Sequence, residues 1–279
     1  MAATGGVIRI RDGRELFHVR TPGPGPTVVF EAGLAATRSY WAPVRAALAG
    51  AAATVAYDRS GLGRSAPAPG PRDLPTLAAD LNDLLTALGP GPYVLVGHSW
   101  GGPIVRVAAA AEPARVAGLL LLDPTDEAGE ALFTPSMRRA ERAVQLGSAA
   151  PARVGLLGVA FRGLLAGLPE DAAAEMRAEA FTPAAVRTRA AELRTLAADV
   201  LSLRDNPCDL PDVPLTVVSA GLTTAGMPAR VRAEIEASHR HRAATSTRGR
   251  HVVAHRSGHM VPVSEPELVA DEIRRLLAV

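Results

Sequence analysis

Five short runs of strand-favouring residues, at 27–30, 53–57, 93–96, 116–122 and 215–219, show no alternation of polar with apolar side chains. A strand with one wet face must alternate, so these runs must be covered on both sides, as in a parallel sheet held between two layers of helices. The intervening segments supply those layers. Leu77, Leu81, Leu84, Leu85 and Leu88 recur at helical spacing until Gly89-Pro90-Gly91-Pro92 stops the pattern, and a last amphipathic helix is expected over 265–277. The fold class is therefore α/β, doubly wound around a mostly parallel sheet. Alternating segments at 7–11 and 15–20 about Asp12-Gly13 predict an opening hairpin, and 251–255 a final strand.

Between 125 and 203 strand-like runs vanish and Ala, Leu, Arg and Glu dominate. Short helices are expected near 135–146, 152–167, 170–179 and 183–204, and an all-helical block inside an α/β chain is most simply an insertion. The expected domains are a core of residues 1–124 and 205–279 and a helical insertion at 125–204, and shortening about 135–200 should change substrate preference more than the core's ability to fold. The glycine-rich segment Asp58-Arg59-Ser60-Gly61-Leu62-Gly63-Arg64-Ser65 lacks the Gly-Lys-Ser/Thr ending of a phosphate cradle and reads as a tight surface turn.

Bulk properties exclude several classes of partner. All 30 basic residues are arginine, and with 28 acidic residues interleaved among them the net charge is only +2, which argues against a nucleic-acid surface. No run approaches the roughly eighteen apolar residues of a membrane span. The N-terminal Met-Ala-Ala-Thr-Gly-Gly lacks the basic and apolar segments of a leader, so a cytoplasmic protein is expected. Cys208 is the only cysteine, which removes an intramolecular disulfide and cysteine-based metal clusters. No histidine pair has helical metal-ligand spacing; no metal and no cofactor are expected, and the partner is a small molecule met by a monomer or homodimer.

Chemistry concentrates at Tyr93-Val94-Leu95-Val96-Gly97-His98-Ser99-Trp100-Gly101-Gly102, a strand running into a glycine-flanked serine with a helix after it. Gly97, Ser99 and Gly101 satisfy G-x-S-x-G, the pattern of a turn that lifts a serine hydroxyl above the sheet. A serine hydroxyl is a poor nucleophile until a base takes its proton, and histidine suits that task. Of seven histidines, His259 in Ser257-Gly258-His259 follows the final strand and so lies at the same sheet edge as Ser99. His255 ends the strand, and His239 and His241 sit in an Arg-rich segment. Oxyanion donors are expected from the backbone N–H of Trp100 and of Leu34, the latter following Gly33 after an early strand. Trp41, with Tyr40, is a candidate pocket wall.

Taken together, Phe30-Glu31-Ala32-Gly33-Leu34, the 58–65 loop, Gly97-His98-Ser99-Trp100-Gly101-Gly102, and Ser257-Gly258-His259 with Pro262 and Pro266 resemble the α/β-hydrolase fold, in its esterase and lactonase-like branch with a helical cap. The resemblance implies a Ser-His-acid triad, but the acid's usual place, just after the penultimate strand, holds Val218-Ser219-Ala220-Gly221-Leu222-Thr223-Thr224 with no carboxylate. Some members place the acid one strand earlier, which points to Asp123 at the end of 119–122. Asp126 and Glu127 lie farther into that loop; Asp205, Asp209 and Asp212 precede the next strand, and Asp58 belongs to a loop where the family's acid is not found.

The leading expectation is a serine hydrolase that cleaves a carboxylic ester or lactone of a small, largely apolar substrate through an acyl-enzyme. A cofactor-free lyase or cyclase, and a ligand-binding protein without turnover, are the alternatives on the same fold. Leu156, Leu157, Phe161, Leu164, Leu165 and Phe181 suggest an apolar roof, with Phe161 the candidate pocket residue. Replacing Asp123 by Asn is expected to lower turnover with little change in stability.

Overall fold

In a computed structural model of the chain, which describes residues 3–224 and 227–278, each apolar run becomes a strand. The residues at the extreme N-terminus used in the leader reading, Met1 and Ala2, lie outside the described residues. The strands are β1 (Thr4–Arg9), β2 (Glu15–Thr21), β3 (Thr27–Glu31), β4 (Thr54–Tyr57), β5 (Tyr93–His98), β6 (Val116–Leu122), β7 (Leu215–Ala220) and β8 (Gly249–Ala254). They form one sheet in the order β1-β2-β4-β3-β5-β6-β7-β8. β2 is antiparallel to both its neighbours and every other pairing is parallel, so the opening hairpin is joined to an otherwise parallel sheet.

The helices are α1 (Ala42–Ala47), α2 (Leu74–Leu88), α3 (Gly101–Ala111), α4 (Pro135–Arg153), α5 (Leu157–Ala160), α6 (Arg162–Ala166), α7 (Glu170–Glu179), α8 (Pro183–Asp205), α9 (Ala229–Ala244), α10 (Val261–Ser264) and α11 (Pro266–Leu277). Leu119 and Leu121 face the layer of α2 and α3, and Leu120 and Leu122 face that of α1 and α11. All four leucines are at most 1% exposed, each contributing about 1.5–3 kcal/mol by burial. Both faces of β6 are therefore dry, which is why its sequence does not alternate.

From β3 the chain steps to β4 on one side, then returns to place β5 on the other side of β3. Connections diverge at that point, leaving a crevice beyond the carboxyl ends of β3 and β5, where ligands of such sheets bind. The loops after β3, β5, β6 and β8 open onto this edge and carry Leu34, Ser99, Asp123 and His259 respectively.

Between β6 and β7 lie only helices and turns, α4 to α8 among them. α4 continues through Gly147 and Pro151 to Arg153, past the expected stop near 146, and 152–167 divides into the tail of α4, α5 and α6. Two expectations are corrected here. The 58–65 loop is largely buried rather than a surface turn, because α8 lies on it: Glu192, 0% exposed, accepts hydrogen bonds from Arg59 (3.0 Å) and Arg72 (2.8 Å), and Thr188 Oγ1 donates to the Gly61 carbonyl at 2.8 Å. The second concerns α8 itself. Leu196, Val200 and Leu203 belong to the same apolar cluster as Leu95 and Leu119, so removing the whole of 135–200 would open the core.

Candidate active site

Gly97 and Gly101 let α3 approach the ends of β5 and β3 closely enough to make a sharp turn. A Cβ on Gly97 would stand 2.4 Å from the Gly101 carbonyl oxygen, and one on Gly101 would stand 2.3 Å from that of Glu31. Ser99 occupies the apex with φ 53°, a left-handed conformation that costs a non-glycine residue about 1–3 kcal/mol. Asp123 (φ 40°) and Ala35 (φ 59°), on the neighbouring loops, share it. The three positive-φ non-glycine residues among the described residues thus gather at one sheet edge.

Ser99 Oγ donates to His259 Nε2 at 3.0 Å, and His259 Nδ1–H donates to Asp123 Oδ2 at 2.7 Å. Each element is braced. The Ser99 N–H donates to the Leu122 carbonyl at 3.0 Å and the Asp123 N–H to that of Val218 at 2.7 Å. The His259 loop is clamped by Glu265, which accepts from the Arg256 N–H and the Ser257 hydroxyl, both at 2.8 Å. It is also held by His98, whose Nε2–H donates to the His259 carbonyl at 2.8 Å. Burial, reinforced by the nearby His259, lowers the His98 pKa to about 3, so His98 is neutral at working pH.

Asp123 is more heavily tied than a turn-capping aspartate needs to be. Oδ1 accepts from the Ala220 N–H (3.0 Å) and Arg232 Nη2 (2.7 Å), and Oδ2 accepts from Arg232 Nη1 (3.0 Å) as well as from His259. Burial alone would raise its pKa. The hydrogen bond and charge of His259, with His239 and Arg232 alongside, outweigh burial and hold the carboxyl well below the usual range. Arg232 comes from α9, and its pairing with Asp123 spans 109 residues of sequence, so no local pattern marks it. His98 and Glu265 were likewise not singled out in the sequence, although His98 stands inside the G-x-S-x-G motif.

Three of the rival acids are engaged elsewhere. Asp126 and Glu127 pair with Arg242 and Arg106, and Asp58 with Arg38 at 2.6 Å. His239 is fully buried with Nδ1 3.8 Å from Asp123 Oδ1, but its Nε2–H donates to the Pro124 carbonyl, away from Ser99. Cys208 is half-buried, which pushes its thiol pKa up and its reactivity down.

Two cavities meet at Leu34, Ser99 and His259. The larger, of about 340 Å³, lies under α4 to α8 and is walled by Tyr40, Leu157, Phe161 and Phe181 among others. The smaller, of about 220 Å³, runs past Trp100 and Asp123 toward Phe133. Phe161 thus reaches the cavity, stacked on Phe181 with ring centroids 5.0 Å apart. Trp41 does not: it is 0% exposed and stacks on Phe30 at 4.7 Å in the core, while the adjacent Tyr40 takes the wall position. A one-residue step along the 3₁₀ turn at 38–41 rotates the side chain by about 120°, which a sequence pattern does not resolve. Among the described residues neither the Leu34 nor the Trp100 N–H donates to a protein acceptor, and both residues border the smaller cavity beside Ser99.

The sheet order, the turn at Ser99 and the helical block over it are those of the α/β-hydrolase fold. The model of the alpha/beta hydrolase fold family matches residues 26–148. Over 69 residues the chain is 46% identical to the lipase LipV of Mycobacterium tuberculosis, covering 25% of this chain and 26% of that protein. The curated relatives are matched over less than half of their own length, at most 44% among the first of them. Two solved structures superpose along nearly the whole chain. The epoxide hydrolase CorEH covers 99% of each chain with TM-score 0.77 and 21% identity. A thermophilic esterase from Thermogutta terrifontis covers 99% of this chain and 98% of its own, with TM-score 0.72 and 23% identity. At these identities the likeness is one of fold. Among the described residues no helix is long and apolar enough to cross a membrane.

Proposed function

We propose that the protein is a serine hydrolase that cleaves the carboxylic ester or lactone bond of a small, largely apolar molecule through an acyl-enzyme. The observation that carries this reading is the unbroken hydrogen-bond relay from Ser99 Oγ through His259 to Asp123, at 3.0 and 2.7 Å, opening onto an apolar cavity. In the proposed mechanism His259 Nε2 accepts the Ser99 proton as Oγ attacks the carbonyl carbon. Asp123 holds the Nδ1–H tautomer and stabilises the imidazolium. The Leu34 and Trp100 N–H groups receive the developing oxyanion, the step at which preorganised donors contribute most. His259 then protonates the leaving oxygen, and water repeats the sequence on the acyl-enzyme. Helices α4 to α7 and the first turns of α8 act as the cap that shapes the apolar side of the pocket. The lipase and esterase among the similar proteins agree with ester chemistry.

The test is exposure to an active-site-directed fluorophosphonate alongside a panel of chromogenic esters and lactones. Stoichiometric labelling at Ser99 with turnover of at least one ester series is expected. An unlabelled Ser99 in folded protein overturns the reading.

A further inference from the structure

The larger cavity has one wall that does not match its apolar lining. Arg189 sits on α8 one turn beyond Ala185 and Val186, and all three face the cavity that holds Ser99 and His259. Its guanidinium Nη1 donates to Gln145 Oε1 at 2.6 Å, and Gln145 Nε2 in turn donates to the Val186 carbonyl at 3.0 Å, so α4 and α8 hold the side chain in place. Four fully buried arginines each hold a carboxylate: Arg38 with Asp58 at 2.6 Å, Arg59 with Glu31 at 2.6 Å, Arg106 with Glu127 at 2.8 Å, Arg232 with Asp123 at 2.7 Å. Arg189 has none within 4.0 Å among the described residues. The neighbouring acid, Glu141, is engaged with Arg138 at 3.4 Å and borders the smaller cavity instead.

A half-buried cation facing apolar walls is costly unless something compensates it. Burial does lower the Arg189 pKa, with Glu141 opposing the shift only through space, yet a guanidinium keeps its proton throughout. One donor is spent on Gln145. The rest of the planar fork is free for an acceptor in the cavity, and its geometry matches a carboxylate taken two-pronged.

We infer that the group bound in the larger cavity carries a carboxylate at its far end, received by Arg189, so that the preferred substrates are half-esters of dicarboxylic acids rather than neutral esters. This rests on the hydrolase reading for the bond that is cleaved, but the subsite itself is a binding claim that can be tested apart from turnover. Apolar side chains take the methylene body, Arg189 takes the terminal anion, and the ester carbonyl lies at Ser99.

The kinetic test compares the p-nitrophenyl monoester of adipic acid with p-nitrophenyl hexanoate, in the wild type and in Arg189→Met, which keeps the bulk of the side chain and removes its charge. The wild type is expected to prefer the half-ester in kcat/KM. The ratio of half-ester to neutral ester should fall about 10- to 100-fold in Arg189→Met, the size of a lost hydrogen bond to a charged group. The binding test is calorimetric titration of adipate into both proteins, with saturable binding expected only in the wild type. Arg189-dependent adipate binding without hydrolysis of any ester leaves the subsite standing and removes the hydrolase reading. Equal loss on both esters in Arg189→Met, or no half-ester preference and no adipate binding in folded wild type, overturns the subsite while leaving ester hydrolysis intact.

Discussion

Replacing Asp123 by Asn tests stability and chemistry at once. Asp123 and Arg232 are each 4% exposed and are joined by two hydrogen bonds, of 2.7 and 3.0 Å. The substitution keeps the shape but leaves the Arg232 guanidinium buried without a counterion, and breaking a buried pair in this way costs about 3–5 kcal/mol. That is a large part of the roughly 5–15 kcal/mol that holds a domain folded. The amide also cannot satisfy all the donors that now converge on the carboxylate. With its oxygen turned to Arg232 and the Ala220 N–H, its NH₂ meets His259 Nδ1 and favours the tautomer with the proton on Nε2, facing Ser99. Turnover should then fall by up to about ten-thousandfold. The sequence alone suggested little change in stability; the Arg232 pair reverses that expectation. Urea denaturation should show a lowered midpoint for Asp123→Asn. A second variant carrying Arg232→Met as well should recover most of the lost stability, because the unpaired charge has gone, yet remain inactive. If Asp123→Asn unfolds within about 1 kcal/mol of the wild type, the claim that Arg232 depends on Asp123 is wrong. Near wild-type turnover in Asp123→Asn, with loss in Asp126→Asn, would move the acid of the triad.

Ser99→Ala is expected to stay folded and to lose about a millionfold in turnover with the best ester of the panel, and retention of most activity sinks the mechanism. Ser99→Gly should be equally inactive but more stable by about 1 kcal/mol in thermal unfolding, since glycine adopts the positive φ of the turn without strain. Between pH 5 and 9 the acidic side of kcat/KM should follow one ionisation, because His98, with its pKa lowered to about 3, stays neutral and Asp123 stays ionised. A limb with the steepness of two protons would refute this assignment. Asp123's folded pKa lies below its unfolded value, near 3.9, so its stabilisation is complete above that value and is lost as pH falls through the lower range. The decline of the urea midpoint below about pH 4 should therefore be shallower in Asp123→Asn. Gly97→Ala should cost at least about 1–3 kcal/mol in thermal unfolding, since its Cβ would meet the Gly101 carbonyl oxygen at 2.4 Å.

The doubly wound sheet was legible because a strand buried on both faces must be apolar throughout, a constraint written locally in 116–122 as in 93–96. The turn at Ser99 was legible for a related reason: two backbones cannot cross so closely unless glycines stand at 97 and 101. His259 and Asp123 could be singled out because a parallel sheet sends all its carboxyl ends to one edge, which leaves few loops to search. Tertiary structure alone decided the rest. The Arg232 partner of Asp123, the burial of the 58–65 loop under Glu192, the share of α8 in the core and the exchange of Tyr40 for Trp41 at the cavity wall all depend on contacts between distant segments. Charged side chains at such contacts have the same composition as those on a solvated helix face, and only packing, by removing water from some and not others, separates Arg232 or Arg189 from the remaining arginines of the chain.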